Sequence, residues 1–189
     1  IIIDSLNLAN GELTNTIEQF KVLIDSEIRE NLPYHQVRIQ SDIVTGNLSG
    51  TFTYAALPTI SQHILHQYLP VLIKKPLSEY PENTNLDFYA YFRELNQLTD
   101  ILHLGIEIPS YPTIKGYLHN QQLGIQAFVP SIKTSKTQIN DITFALSNAN
   151  RDQLDASLYM LTHLPQDNPT AVKLGDIKTT FNLSARQNN

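Results

Sequence analysis

Thr45-Gly46-Asn47-Leu48-Ser49-Gly50-Thr51-Phe52-Thr53-Tyr54-Ala55-Ala56-Leu57-Pro58 decides the reading of this chain, because its hydrophobic period changes partway along. As far as Tyr54, the residues Leu48, Gly50, Phe52 and Tyr54 fall on one side of an extended segment. Asn47, Ser49, Thr51 and Thr53 fall on the other, the period of two of a strand with one wet face. Beyond Leu57 the spacing lengthens: Ile60, Ile64 and Tyr68 are four apart, with Leu65 and Leu69 beside them, as on one face of a helix. Thr59 and Gln62 have the spacing of a capping box and Pro70 is a stop, which predicts a helix over 59–69. A one-sided sheet and a short amphipathic helix must both bury their apolar faces. The functional question is whether protein or a ligand covers them.

Outward from this stretch, strands dominate. Ile2, Leu6 and Leu8 alternate as far as the turn dipeptide Asn10-Gly11, and Phe20, Val22 and Ile24 share a face, with Leu23 the exception opposite. Glu30 to Tyr34, with Pro33, reads as a loop. Val37, Ile39 and Ile43 are odd-numbered whereas Leu48 and Phe52 are even, so a turn or bulge is expected around Gly46. The segment 74–85 reads as a loop. Leu86 to Phe92 then resumes as a strand, apolar on one face and tyrosine-bearing on the other, and Leu95, Leu98, Ile101 and Leu102 return to helical spacing over 95–104. Gly105 stands where a C-cap glycine would, after His103, whose imidazolium would suit a helix C-terminus. Three further sets alternate cleanly. Ile114 to Leu118 leads through Asn120-Gln121-Gln122 into Leu123 to Val129; Ile142 to Leu146 leads through Asn148-Ala149-Asn150 into Leu154 to Met160; Ile177, Phe181 and Leu183 close the series.

This recurrence predicts an α+β, mainly β fold: a curved antiparallel meander of about eight to ten strands, with one or two short amphipathic helices on its apolar face or edge. The 189 residues fit a single domain, 1–189, with a weak boundary in 74–85. The chain opens on Ile1-Ile2-Ile3 and is read as an internal piece of a longer protein. A net charge of −5 and the lack of any Lys/Arg run argue against nucleic acid and against an anionic membrane surface. With no cysteine there is no thiol nucleophile, disulfide or Cys-based metal site.

Chemistry-bearing motifs are sparse. His63 and His66 share a helix face, yet no third ligand lies near them in sequence, so no metal is expected. Asp152 and Asp155 diverge in parity across a turn and strand, unlike a carboxylate pair aimed at one atom. The seven glycines form neither a phosphate loop nor a nucleophile elbow. No catalytic residue and no cofactor is therefore assigned, although a cleft gathering His35, His63, His66, Asp152 and Asp155 would favour an enzyme. Asn47-Leu48-Ser49 and Asn182-Leu183-Ser184 are glycosylation triplets that matter only in a secreted eukaryotic protein.

Taken together, Gly46 to Pro58 followed by Tyr68-Leu69-Pro70, the upstream phrase Ile3-Asp4-Ser5-Leu6-Asn7-Leu8-Ala9-Asn10-Gly11, and the pair Thr113-Ile114-Lys115-Gly116-Tyr117-Leu118 and Leu123-Gly124-Ile125-Gln126-Ala127-Phe128-Val129-Pro130 resemble the TamB-like translocation and assembly proteins of Bacteroidota, in the AsmA-like superfamily. The resemblance spreads from about residue 1 to residue 183. It implies a periplasmic segment of an inner-membrane-anchored envelope protein. Its sheet would curl into an apolar groove that carries phospholipid acyl chains toward the outer membrane, with a role in outer-membrane protein assembly. Its partners would be those acyl chains, neighbouring segments of the same chain and outer-membrane assembly proteins. The bottom-up candidates for the lining are Phe52, Tyr54, Phe88, Phe92, Ile125, Phe144, Leu158 and Phe181, which are equally the expected core. The rival expectation is a β-rich scaffold module with a filled core, which pairs with neighbouring repeats or a client strand through its sheet edges.

Overall fold

The computed structural model describes residues 2–10, 13–76, 79–80, 83–93, 95–135, 137–150, 152–163 and 176–186. Ten strands form one sheet in sequence order, every neighbouring pair antiparallel. They are β1 Ile2–Asn10, β2 Leu13–Arg29, β3 Leu32–Gln40, β4 Val44–Thr51, β5 Asn85–Phe92, β6 Thr113–His119, β7 Gln122–Lys133, β8 Gln138–Ser147, β9 Gln153–His163 and β10 Ile177–Arg186. A 3-10 turn, Tyr54–Ala56, runs into α1, Leu57–Tyr68, and α2 spans Leu95–Ile101. The mainly β meander read from the alternation is the fold observed. β4 and β5, on either side of the segment 74–84, are directly paired.

Short connections enforce this topology, and they correct several local expectations. The loop expected over Glu30 to Tyr34 is a two-residue hairpin turn: Glu30 and Asn31 take φ of 50° and 63°, and Pro33 already lies in β3 opposite Ile28. Asn120 and Gln121, at 51° and 67°, build the same kind of turn between β6 and β7. The phase change near Gly46 arises earlier, where Ser41 Oγ accepts the amides of Ile43 and Val44 and closes the β3–β4 turn. Gly46 itself sits inside β4, where a Cβ would lie 2.9 Å from the Tyr89 carbonyl oxygen. The turn at Gly11 lies outside the described residues.

Both helix ends differ from the expected signals. α1 begins at Leu57 with Ala56 as its N-cap and no side-chain cap, so Thr59 and Gln62 form no capping box. The 3-10 turn feeds the helix directly, and Pro58 in the first turn needs no N–H partner there. Gln62 instead donates to the Lys74 carbonyl at 2.9 Å. Helix α2 ends in a Schellman motif centred on His103, at φ 51°: the Leu104 amide reaches Thr99 O and the His103 amide reaches Asp100 O, each at 3.0 Å. His103 takes the left-handed position expected of Gly105.

The core is narrow. Ile60, Ile64 and Tyr68 of α1 pack on Phe52, Leu86, Leu118 and Leu154, all buried, so the helix covers one end of one face of the sheet. Helix α2 packs near β1 and β2.

Candidate functional site

Strand pairing generates the site. Directly paired residues share a face, so the register defines rows that run across the sheet. One row is Val22, Ile39, Gly46, Ala90, Ile114, Ala127, Phe144, Leu158 and Phe181. The next is Ile24, Val37, Leu48, Phe88, Gly116, Ile125, Leu146, Ala156 and Leu183. Each crosses nine strands, on the order of 40 Å at the usual strand spacing. Neither row contains a charged or hydrogen-bonding side chain. Together they make a continuous hydrocarbon strip.

The strip changes character along its length. Beside α1 it is roofed: Leu57, Ile60, Ile64 and Leu65 face Leu48, Phe88, Ile125 and Leu146 across an apolar cavity of about 390 Å³. Among the described residues the only polar side chain on that cavity is Ser61, whose hydroxyl bonds back to the Leu57 carbonyl. Toward the outer strands the strip is open. Ile24 is 52% exposed on β2, Phe181 60% and Leu183 63% on β10. At about 25 cal/mol per Å² of apolar surface, leaving such side chains wet forgoes much of what burial normally contributes.

The sequence-derived lining residues divide accordingly. Phe88, Ile125, Phe144, Leu158 and Phe181 lie in the two rows, and Phe92 follows Ala90 on the same face of β5. Phe52 is placed elsewhere: it lies just past the end of β4 and is 3% exposed within the α1 core. Tyr54 does not continue the strand alternation, because the backbone turns into the 3-10 segment. Its ring is exposed, lying tilted against His35 at 4.9 Å and meeting Phe52 edge-on at 5.2 Å. Leu48, Leu146 and Leu183 belong to the strip beside these candidates, and the same alternation marks them.

The titratable candidates are dispersed over the molecule. His35 packs tilted against Phe52 and Tyr54, and His66 Nδ1 lies 2.6 Å from the Ile73 carbonyl. His63 meets the Tyr80 ring edge-on at 5.8 Å. Asp152 is exposed in the β8–β9 turn, and Asp155 sits on the polar face of the sheet. Asp155 accepts from Ser184 Oγ at 2.5 Å and Gln153 Nε2 at 2.6 Å, and these bonds hold its carboxyl below the usual range. Burial pushes the Tyr80 phenol up. Among the described residues no three His, Asp or Glu side chains converge to hold a metal ion, and no helix is long and apolar enough to cross a membrane.

The opposite face has another chemistry. Tyr89, Tyr91, Tyr117, Lys115 and Gln126 surround a concavity of about 630 Å³ on the polar side. Compared with known protein families, characterised proteins and solved structures, the chain matches none of them.

Proposed function

We propose that this chain is a non-enzymatic segment of a TamB-like, periplasmic envelope-biogenesis protein. Its apolar strip would hold phospholipid acyl chains on their way toward the outer membrane, or serve outer-membrane protein assembly. The observation that carries the reading is the pair of uncharged rows crossing nine strands, roofed by the helix over the middle strands and open toward β2 and β10. An acyl chain presents only CH2 groups and asks for no hydrogen-bonding code. At about 0.8 kcal/mol per buried CH2, a handful of aligned methylene contacts supplies useful affinity. The absence of charge from both rows leaves no barrier to sliding, so transfer is passive and driven by a gradient or by partners at either end. Neighbouring segments of a longer sheet would extend the strip, and the resemblance to inner-membrane-anchored proteins supplies the location.

A second reading rests on its own observation. The sheet is open, and among the described residues β10 pairs with β9 alone, while Ile177, Phe181 and Leu183 on it are exposed. An edge strand of this kind accepts a neighbouring repeat or a client strand by β-addition.

Native mass spectrometry with lipid extraction separates the two. Phospholipid that copurifies from a bacterial host and is lost in Phe144→Asp supports the conduit. A lipid-free, stably folded protein that ignores added phospholipid overturns it and leaves edge pairing as the function.

A further inference from the structure

The polar face of the sheet carries a feature that lipid handling does not use. Tyr117 on β6 is paired with Gly124 on β7, and its ring occupies the space a side chain would take there: a Cβ on Gly124 would lie 2.3 Å from Tyr117 Cε1 and 2.6 Å from Cζ. The ring is therefore laid down against the sheet rather than standing off it. Tyr89 and Tyr91 meet edge-on at 5.7 Å on the adjacent strand, 44% and 51% exposed. These three rings wall a concavity of about 630 Å³.

The concavity continues sideways. Ala145 and Ser147 form its small-residue floor, and the same two residues border a second hollow of about 340 Å³ whose far wall is Asp155, Ser157, Asn182 and Ser184. The two hollows make one trough from β5 to β10, five strand spacings or about 24 Å across. Aromatic faces lie at one end, and hydroxyl, carboxamide and carboxylate groups at the other.

The geometry points to a binding trough for a neutral oligosaccharide. Three features of the lining select that occupant. The tyrosine-walled part of the trough lies on β5 to β8, inside the sheet, where the ladder already uses the backbone N–H and C=O groups, so an extended peptide has no strand edge to join there. The tyrosine walls and small-residue floor offer no long aliphatic surface for an acyl chain, whereas exposed rings beside polar groups suit a ring with C–H patches on its faces and hydroxyls at its rim. Among the described residues Lys115 is the one cationic side chain lining the trough, and the carboxylates of Asp87, bonded to His119 at 3.0 Å, and Asp155, bonded by Ser184 and Gln153, lie on the same lining, so there is no cationic cluster to hold an anion. The inference is independent of the lipid reading, since it concerns the other face.

The test titrates the whole chain with cellotetraose, maltotetraose and triacetylchitotriose, read by amide chemical shifts and by the fluorescence of its tyrosines, there being no tryptophan. Saturable binding of at least one sugar is expected, with shifts at Gly124, Ala145 and Ser147. Tyr117→Ala and Tyr89→Ala should each weaken it by about tenfold, the upper range for one stacked ring. The exposed Tyr89 provides a variant whose folding is not in question, and Phe181→Ser on the opposite face should leave binding unchanged. No response to any of the three sugars, or affinity that survives both tyrosine variants, overturns the proposal.

Discussion

Asn148 donates from its side-chain amide to the hydroxyl of Tyr68, 3.1 Å away and 80 residues earlier in the chain. Asn148 is 1% exposed and Tyr68 5%, so this bond is made out of water. The same amide reaches the Gln121 carbonyl at 3.0 Å, and the carboxamide oxygen accepts the Leu123 amide. One residue thus ties the last turn of α1 to the hairpin turns of β6–β7 and β8–β9.

Asn148→Ala removes three hydrogen bonds at once, the buried one to Tyr68 and the part-buried ones to Gln121 and Leu123. We expect a loss of about 2–3 kcal/mol, read as a lower urea midpoint with an unchanged slope. Tyr68→Phe removes only one partner and should cost about 1 kcal/mol. Equal effects of the two changes would show that the amide does not organise the turns.

Gly50 is the backbone position least able to accept a side chain. Its φ is +147°, and a Cβ there would lie 2.0 Å from the Asn85 carbonyl oxygen in the paired strand. Gly50→Ala should cost about 3 kcal/mol or more, combining strain with a backbone clash that no rotamer relieves. Gly105, at φ +62° with nothing within 4 Å, separates the two causes. Gly105→Ala should cost only about 1–2 kcal/mol in thermal or denaturant unfolding.

The roofed and open parts of the apolar face should respond differently to the same chemistry. Ile64→Ala under the helix should cost about 2–5 kcal/mol, the range for a cavity in a packed core. Phe52→Asp places an unpaired carboxylate in that core and should abolish folding. Phe144, already 36% exposed, should tolerate aspartate with a native circular dichroism spectrum. Unfolding by Phe144→Asp would mean that the strip is closed by protein in solution.

Asp155 offers a pH test with a definite sign. Bonds from Ser184 and Gln153 hold its folded-state pKa below that of the unfolded chain. Its contribution is therefore present above the unfolded value and disappears as pH falls through the folded one. Carbon-detected titration of the carboxyl should show the depressed pKa, and Ser184→Ala should move it back toward the ordinary aspartate value. No movement would assign the shift to another cause.

By itself, the sequence determined the elements that rest on side-chain period. Alternation at Leu86 to Phe92 or at Ile142 to Leu146 marks strands, and the four-residue spacing of Ile60, Ile64 and Tyr68 marks α1, because these periods follow from backbone geometry alone. The predominance of short connections also made an antiparallel meander legible. Tertiary structure decided how far each strand runs and which residues the helix covers. Pro33 joins β3 because two left-handed residues before it close a tight turn. His103 rather than Gly105 caps α2 because that is where the chain must reverse. Phe52 and Phe144 share an apolar character in the sequence, yet one is sealed beneath α1 and the other stands open. Only the cross-strand register fixes that difference, since it sums pairings between residues far apart in the chain, and no local period encodes which part of a sheet a helix will settle on.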